Sequence, residues 1–108
     1  MDPAYKMYLL YTGDQERRFR ARYAKYIPES LDQYETWFYS FPLYEWQRIE
    51  VPPRTAEFTI GMLCLLMREG RANFCIDFPE DGMARVMRYA RNREEYDEYI
   101  KKIFPTTK

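Results

Sequence analysis

The side chains best suited to make or break bonds are few and scattered. Histidine is absent from all 108 residues, so the commonest neutral-pH base and metal ligand is missing. Cys64 and Cys75 have no CxxC spacing and no imidazole to activate them. A structural zinc needs about four N, S or O ligands, and a thiol nucleophile usually leans on a base. Both cysteines are therefore expected as small buried apolar side chains, with a disulfide between them as the alternative. Asp77, Glu80 and Asp81 in DFPEDG could gather around a divalent cation. They serve equally well as turn residues and as a negative first turn for a following helix, which is the expectation adopted. Ser30 and Ser40 lie in no G-x-S-x-G, and Gly13, Gly61, Gly70 and Gly82 are too dispersed for a phosphate loop. The sequence thus predicts no catalytic residue, no metal and no cofactor. An enzyme would have to work with carboxylates, tyrosine or arginine alone.

Side chains suited to contact are abundant. There are 11 tyrosines, 7 phenylalanines and 2 tryptophans. Tyrosine, tryptophan and arginine are the residues that dominate binding surfaces. Seven aromatics fall between Tyr34 and Trp46, and a two-sided segment cannot easily bury them all. Tyr39 lies off the apolar stripe of its helix, and Tyr44 and Trp46 point to one side of an extended segment. These three are the predicted protein-binding patch. Arg18, Arg22 and Lys25 line up opposite the apolar face of one helix, and Arg85 and Arg88 on the outer side of another. Were those helices neighbours, they would form one surface for phosphates or an acidic partner.

Charge and hydropathy set the frame. Lys+Arg and Asp+Glu are 17 each, so net charge favours neither nucleic acid nor an anionic membrane. The start, Met1-Asp2-Pro3, does not read as a secretory leader, and the longest apolar run, 60–67, is far below the ~20 residues that span a bilayer. With two cysteines and no leader, a reducing cytoplasm is expected.

The elements that must position these residues follow from periodicity. The whole chain, 1–108, reads as a single globular domain. Residues 3–12 lean to helix, although Tyr5, Met7, Leu9 and Tyr11 also alternate as a strand would. Residues 14–27 form a helix with Phe19, Tyr23, Tyr26 and Ile27 on one face, ended by Pro28. A second helix begins at Ser30, with Gln33 completing a capping box, and carries Leu31, Tyr34, Phe38 and Phe41 inward, Trp37 at the stripe's edge. Residues 55–69 are apolar around most of the circumference and form the central helix, capped by Thr55 and ended by Gly70. Residues 72–78 alternate cleanly as a strand, with 46–51 as its partner. From Asp81 the pattern reads as two helices, 81–91 and 93–104, broken at Asn92, which caps the second.

The fold class expected is a helix-dominated α+β domain: five to six helices around the buried helix at about 55–69, with a minor two-stranded element from about 46–51 and 72–78. An all-α bundle is the alternative. The function expected is a small non-enzymatic protein-binding module, a regulator or inhibitor that occludes a larger protein target. The alternative is a nucleic-acid-binding protein using its arginine faces, and homodimerisation is compatible with both.

Overall fold

In a computed structural model of the chain, the described residues are 13–105. They form four helices and a three-stranded antiparallel sheet. The helices are α1 (Gly13–Tyr23), α2 (Ile27–Phe38), α3 (Pro53–Arg68) and α4 (Arg93–Ile103). The strands are β1 (Trp46–Glu50), β2 (Phe74–Glu80) and β3 (Met83–Arg88), in the order β1-β3-β2.

The central helix stands as expected. α3 buries Ile60, Met62, Leu63, Leu65 and Leu66 completely, with Gly61 facing the Phe19 ring of α1. Helix α2 packs along its other side, where Phe38 reaches Phe74 of β2 at a ring separation of 5.6 Å. Gly70, at φ 72°, ends α3 with a Schellman motif: its N–H bonds the Met67 carbonyl and the Arg71 N–H bonds that of Leu66. The prolines act as openers rather than stops. Pro28 sits in the first turn of α2 and Pro53 in that of α3, where a missing N–H costs nothing. No side chain caps α2, so Ser30 and Gln33 do not form the expected box. Pro52, not Thr55, stands at the N-cap of α3.

The main correction concerns 81–91. Residues 83–88 are a strand, not a helix, and β3 runs down the middle of the sheet. The segments 46–51 and 72–78 therefore do not pair with each other; each pairs with β3. The count of five to six helices falls to four among the described residues, and the sheet rules out the all-α alternative. The helix expected at 3–12 lies outside the described residues. The misreading has a physical source. Met, Ala and Arg favour helix locally, and Met83, Val86, Met87 and Ala90 do share a helical face. The same stretch also alternates, with Ala84, Val86 and Arg88 buried and Met83, Arg85 and Met87 on the other side. Asp81-Gly82 between β2 and β3 is a strong hairpin signal, and Gly82 takes the positive φ, 74°, that such turns use. Backbone pairing on both edges then outweighs helix propensity.

One face of the sheet, with Ile49, Phe74, Ala84 and Val86, belongs to the same buried cluster as α3. Its other face carries Trp46, Arg48, Cys75, Asp77, Met83, Arg85 and Met87. Both thiols are free; Cys64 is buried, which pushes its pKa up to about 12, and Cys75 is half-buried.

Candidate interaction site

The predicted residues are spread over several surroundings. Tyr39 is half-buried. Its hydroxyl donates to the Arg71 carbonyl, and the Arg88 and Arg91 guanidiniums sit 5.1 Å and 4.5 Å from its ring centre. Burial raises its phenol pKa. Tyr44 takes a left-handed backbone, φ 56°, uncommon for a bulky residue. Its N–H donates to the Arg88 carbonyl at 2.9 Å, and its ring sits among Tyr89, Tyr96 and Tyr99 at 5.8, 6.4 and 4.9 Å. Trp46 is the exposed member of the three, at 40%, on the outer sheet face beneath the Arg85 guanidinium. A hydroxyl bond and two guanidiniums thus engage Tyr39, and neighbouring rings engage Tyr44, while Trp46 alone of the three is exposed.

The arginines do not converge either. Arg85 and Arg88 alternate to opposite faces of β3 because strand side chains do so. Arg85 forks onto Asp77 at 2.9 and 2.5 Å. Arg88 points inward and is only 6% exposed; its Nε donates to the Phe41 carbonyl at 3.0 Å and its Nη1 to Glu95 at 3.1 and 3.2 Å. On α1, Arg22 bonds Glu57 at 2.6 and 2.7 Å and Arg18 is exposed; Lys25 is exposed too, but α1 ends at Tyr23 and Lys25 lies in the turn after it, off the expected helical stripe. The candidate acidic loop is also committed, Asp77 to Arg85 and Glu80 to Arg48 at 2.6 Å. Among the described residues, no group of three His, Cys, Asp or Glu side chains is arranged to hold a metal.

These ion pairs shift carboxylates one way. Arg68 and Arg20 hold Glu16 below its ordinary value, Arg71 holds Glu35 down, and Arg85 holds Asp77 down. Burial pushes Glu95 up, but the Arg91 N–H and the Arg88 guanidinium outweigh it, and the net shift is downward. Groups with depressed folded values contribute stability above their unfolded pKa, about 4, and lose it as pH falls through the folded one. Histidine is absent, so no imidazole titrates near neutrality. The urea midpoint is expected to stay level between about pH 5.5 and 8 and to decline below about pH 4.5. A midpoint that rises on acidification would contradict this direction.

A different place brings contact-making groups together. Between β1, α2 and α3 lies a cleft of about 610 Å3, lined by Gln33, Tyr34, Trp37, Phe41, Thr59 and the four consecutive residues Gln47, Arg48, Ile49 and Glu50. Trp37 meets Tyr34 edge-on at 5.6 Å and Phe41 at 4.9 Å, and the Tyr34 hydroxyl lies 3.3 Å from that of Thr59. Successive strand side chains point to opposite faces, so four in a row share one cleft only along the strand's edge.

Among the described residues β1 is an edge strand, and the phase of its hydrogen bonds is fixed. The Val51 N–H donates to the Gly82 carbonyl at 2.9 Å, on the same register that pairs Ile49 with Ala84 and Gln47 with Val86. In an antiparallel ladder the bonded residues alternate. Residues 47, 49 and 51 therefore bond β3, and the N–H and C=O groups of Arg48 and Glu50 turn to the open edge. The opposite edge is guarded differently: β2 carries Pro79 and a register irregularity between Asp77 and Glu80, both of which discourage strand addition.

The chain matches no family model, no curated protein and no solved structure.

Sequence reasoning placed Tyr34 and Phe41 in an inner stripe and Trp37 at its edge, and so passed over this cleft. Phe41 is buried but lies beyond the end of α2. The signal that was available is Trp37 itself, a large side chain at the margin of an apolar stripe and close in sequence to an edge strand. No helix among the described residues is long and apolar enough to cross a membrane.

Proposed function

We propose that this chain is a small non-enzymatic protein-binding module that takes an extended segment of a larger protein along the edge of β1. An apolar side chain of that segment seats against Trp37, Tyr34 and Phe41. One observation carries the reading: four consecutive β1 residues line an aromatic cleft while two of their peptide groups turn outward with no strand to bond among the described residues. Strand addition draws affinity from main-chain hydrogen bonds and specificity from pockets for alternate side chains. The cleft volume suits one or two such side chains. Glu50, exposed at the edge, favours a segment with a basic residue beside its apolar anchor. Occupying such a segment would occlude the larger protein, which makes the module a regulator or inhibitor. Its two free thiols suit a reducing cytoplasm. Nucleic-acid binding has less behind it, since Arg22, Arg85 and Arg88 are each held by a carboxylate.

Selection of random linear peptides on the immobilised protein is expected to enrich sequences with alternating apolar residues. Trp37→Ala is expected to weaken the enriched peptides by about 2 kcal/mol, roughly thirtyfold. Arg48→Pro separates backbone from side chain. It deletes an outward N–H while leaving the β3 ladder intact, so the domain folds but peptide affinity drops at least about tenfold. Arg48→Ala, which keeps the N–H, retains binding. Equal affinity of the Pro and Ala variants would remove β1 from the interface.

A further inference from the structure

We infer that α4 is a self-association surface, on which a second copy of this chain packs antiparallel about a two-fold axis beside Ile100. α4 holds no buried residue, although its apolar positions recur in the pattern of a helix meant to be covered. Tyr96, Ile100 and Ile103 stand at i, i+4 and i+7, with Phe104 next to them. Tyr96 is 40% exposed, Ile103 47% and Phe104 69%. α4 meets the rest of the domain through the Tyr44 ring against Tyr96 and Tyr99 and through Glu95, which Arg88 and Arg91 hold. Eleven residues form a marginal helix on their own, so a helix this short gains from a second packing surface.

Charge identifies the occupant. The first half of α4 carries Glu94, Glu95, Asp97 and Glu98, and its last turn carries Lys101 and Lys102. A second α4 laid antiparallel sets the acidic half of each helix along the basic half of the other. Asp97 and Lys101, four residues apart, share one flank of the apolar stripe. In an antiparallel pair, like flanks face each other, so Asp97 of one copy meets Lys101 of the second, and the reverse. The contact is isologous and closes as a dimer. The zero net charge of the chain adds no long-range repulsion between copies. At about 16 Å of helix the interface is small, and a reversible dimer of micromolar affinity is expected.

Sedimentation of the full chain from about 1 to about 500 µM tests this. The weight-average mass is expected to climb from 13.3 kDa toward twice that value. Phe104→Glu, at the most exposed position, is expected to weaken association at least tenfold, a change of about 1.4 kcal/mol. Asp97→Lys and Lys101→Glu each place like charges opposite one another and weaken it likewise. An equimolar mixture of those two variants sets unlike charges opposite at both contacts and regains the wild-type mass. A wild-type chain that stays at 13.3 kDa, a dimer indifferent to these substitutions, or a mixture that fails to associate would each overturn the inference. These variants leave the β1 cleft untouched, so peptide binding there stands or falls separately.

Discussion

Arg88→Ala is expected to destabilise the domain by about 3–5 kcal/mol, the largest effect of any single charged side chain here. Arg88 is nearly enclosed, and its contacts tie β3 to the segment at the end of α2 and to α4. Its Nε satisfies the Phe41 carbonyl just after α2, its Nη1 holds Glu95 in the first turn of α4, and its guanidinium lies over Tyr39. Truncation removes the Nε donor from a carbonyl and leaves a largely buried carboxylate, among the described residues, with the Arg91 N–H and the longer Arg91 contact at 3.7 Å. The penalty for a buried polar group left unmatched exceeds the net worth of the bond that was made. For that reason the double variant Arg88→Met with Glu95→Leu is expected to recover at least half of the loss, since removing both charges removes the desolvation problem. Urea unfolding of the three proteins checks this. An Arg88→Ala loss below about 1 kcal/mol would show that water or Arg91 replaces the contact fully.

Gly61→Ala is expected to destabilise by about 1–3 kcal/mol, against the ordinary direction of that substitution. In an exposed helix interior the same change would stabilise by up to about 1 kcal/mol, because alanine is the better helix former. Gly61 is buried in α3, and a methyl group there would overlap the Phe19 ring, with Cζ 2.5 Å and Cδ2 2.7 Å from the added carbon. The ring is itself buried and packed on Tyr23 at 4.8 Å, so it cannot swing away freely. Close approach of α1 to α3 depends on that missing side chain. Pairing Gly61→Ala with Phe19→Leu opens room, and the double variant is expected to be more stable than the sum of the two single losses. Additive losses in such a cycle would place the two residues out of contact.

Neither effect bears on the β1 cleft, and both are tied to why the domain was only half readable. The apolar circumference of 55–69 announced a buried helix, and Gly70 announced its end, because both signals are local and the structure does not contradict them. Asn92 announced the start of α4 for the same reason: its side chain accepts the Glu95 N–H at 2.9 Å. Residues 83–88 went the other way. Helix propensity, local apolar spacing and the flanking acidic turn all agreed on helix, and the strand wins only through partners 33 to 41 residues away on one side and across a Gly turn on the other. That single change moved Arg85 and Arg88 from one predicted stripe to opposite faces of a sheet, and with it dissolved the cationic surface.

The amino-acid sequence by itself determined which side chains are on hand, with no histidine and an excess of aromatics, and the position of its central helix. Those are properties of composition and of periods a few residues long. What only the tertiary structure decided is which aromatics line an opening and which are clamped: Tyr39 and Tyr44 are held by arginines and other rings, while Trp37 borders a cleft. It also decided that, among the described residues, β1 lies at an edge with two peptide groups turned outward. Edge status is set by the order in which strands assemble, and the sequence alone did not reveal it here.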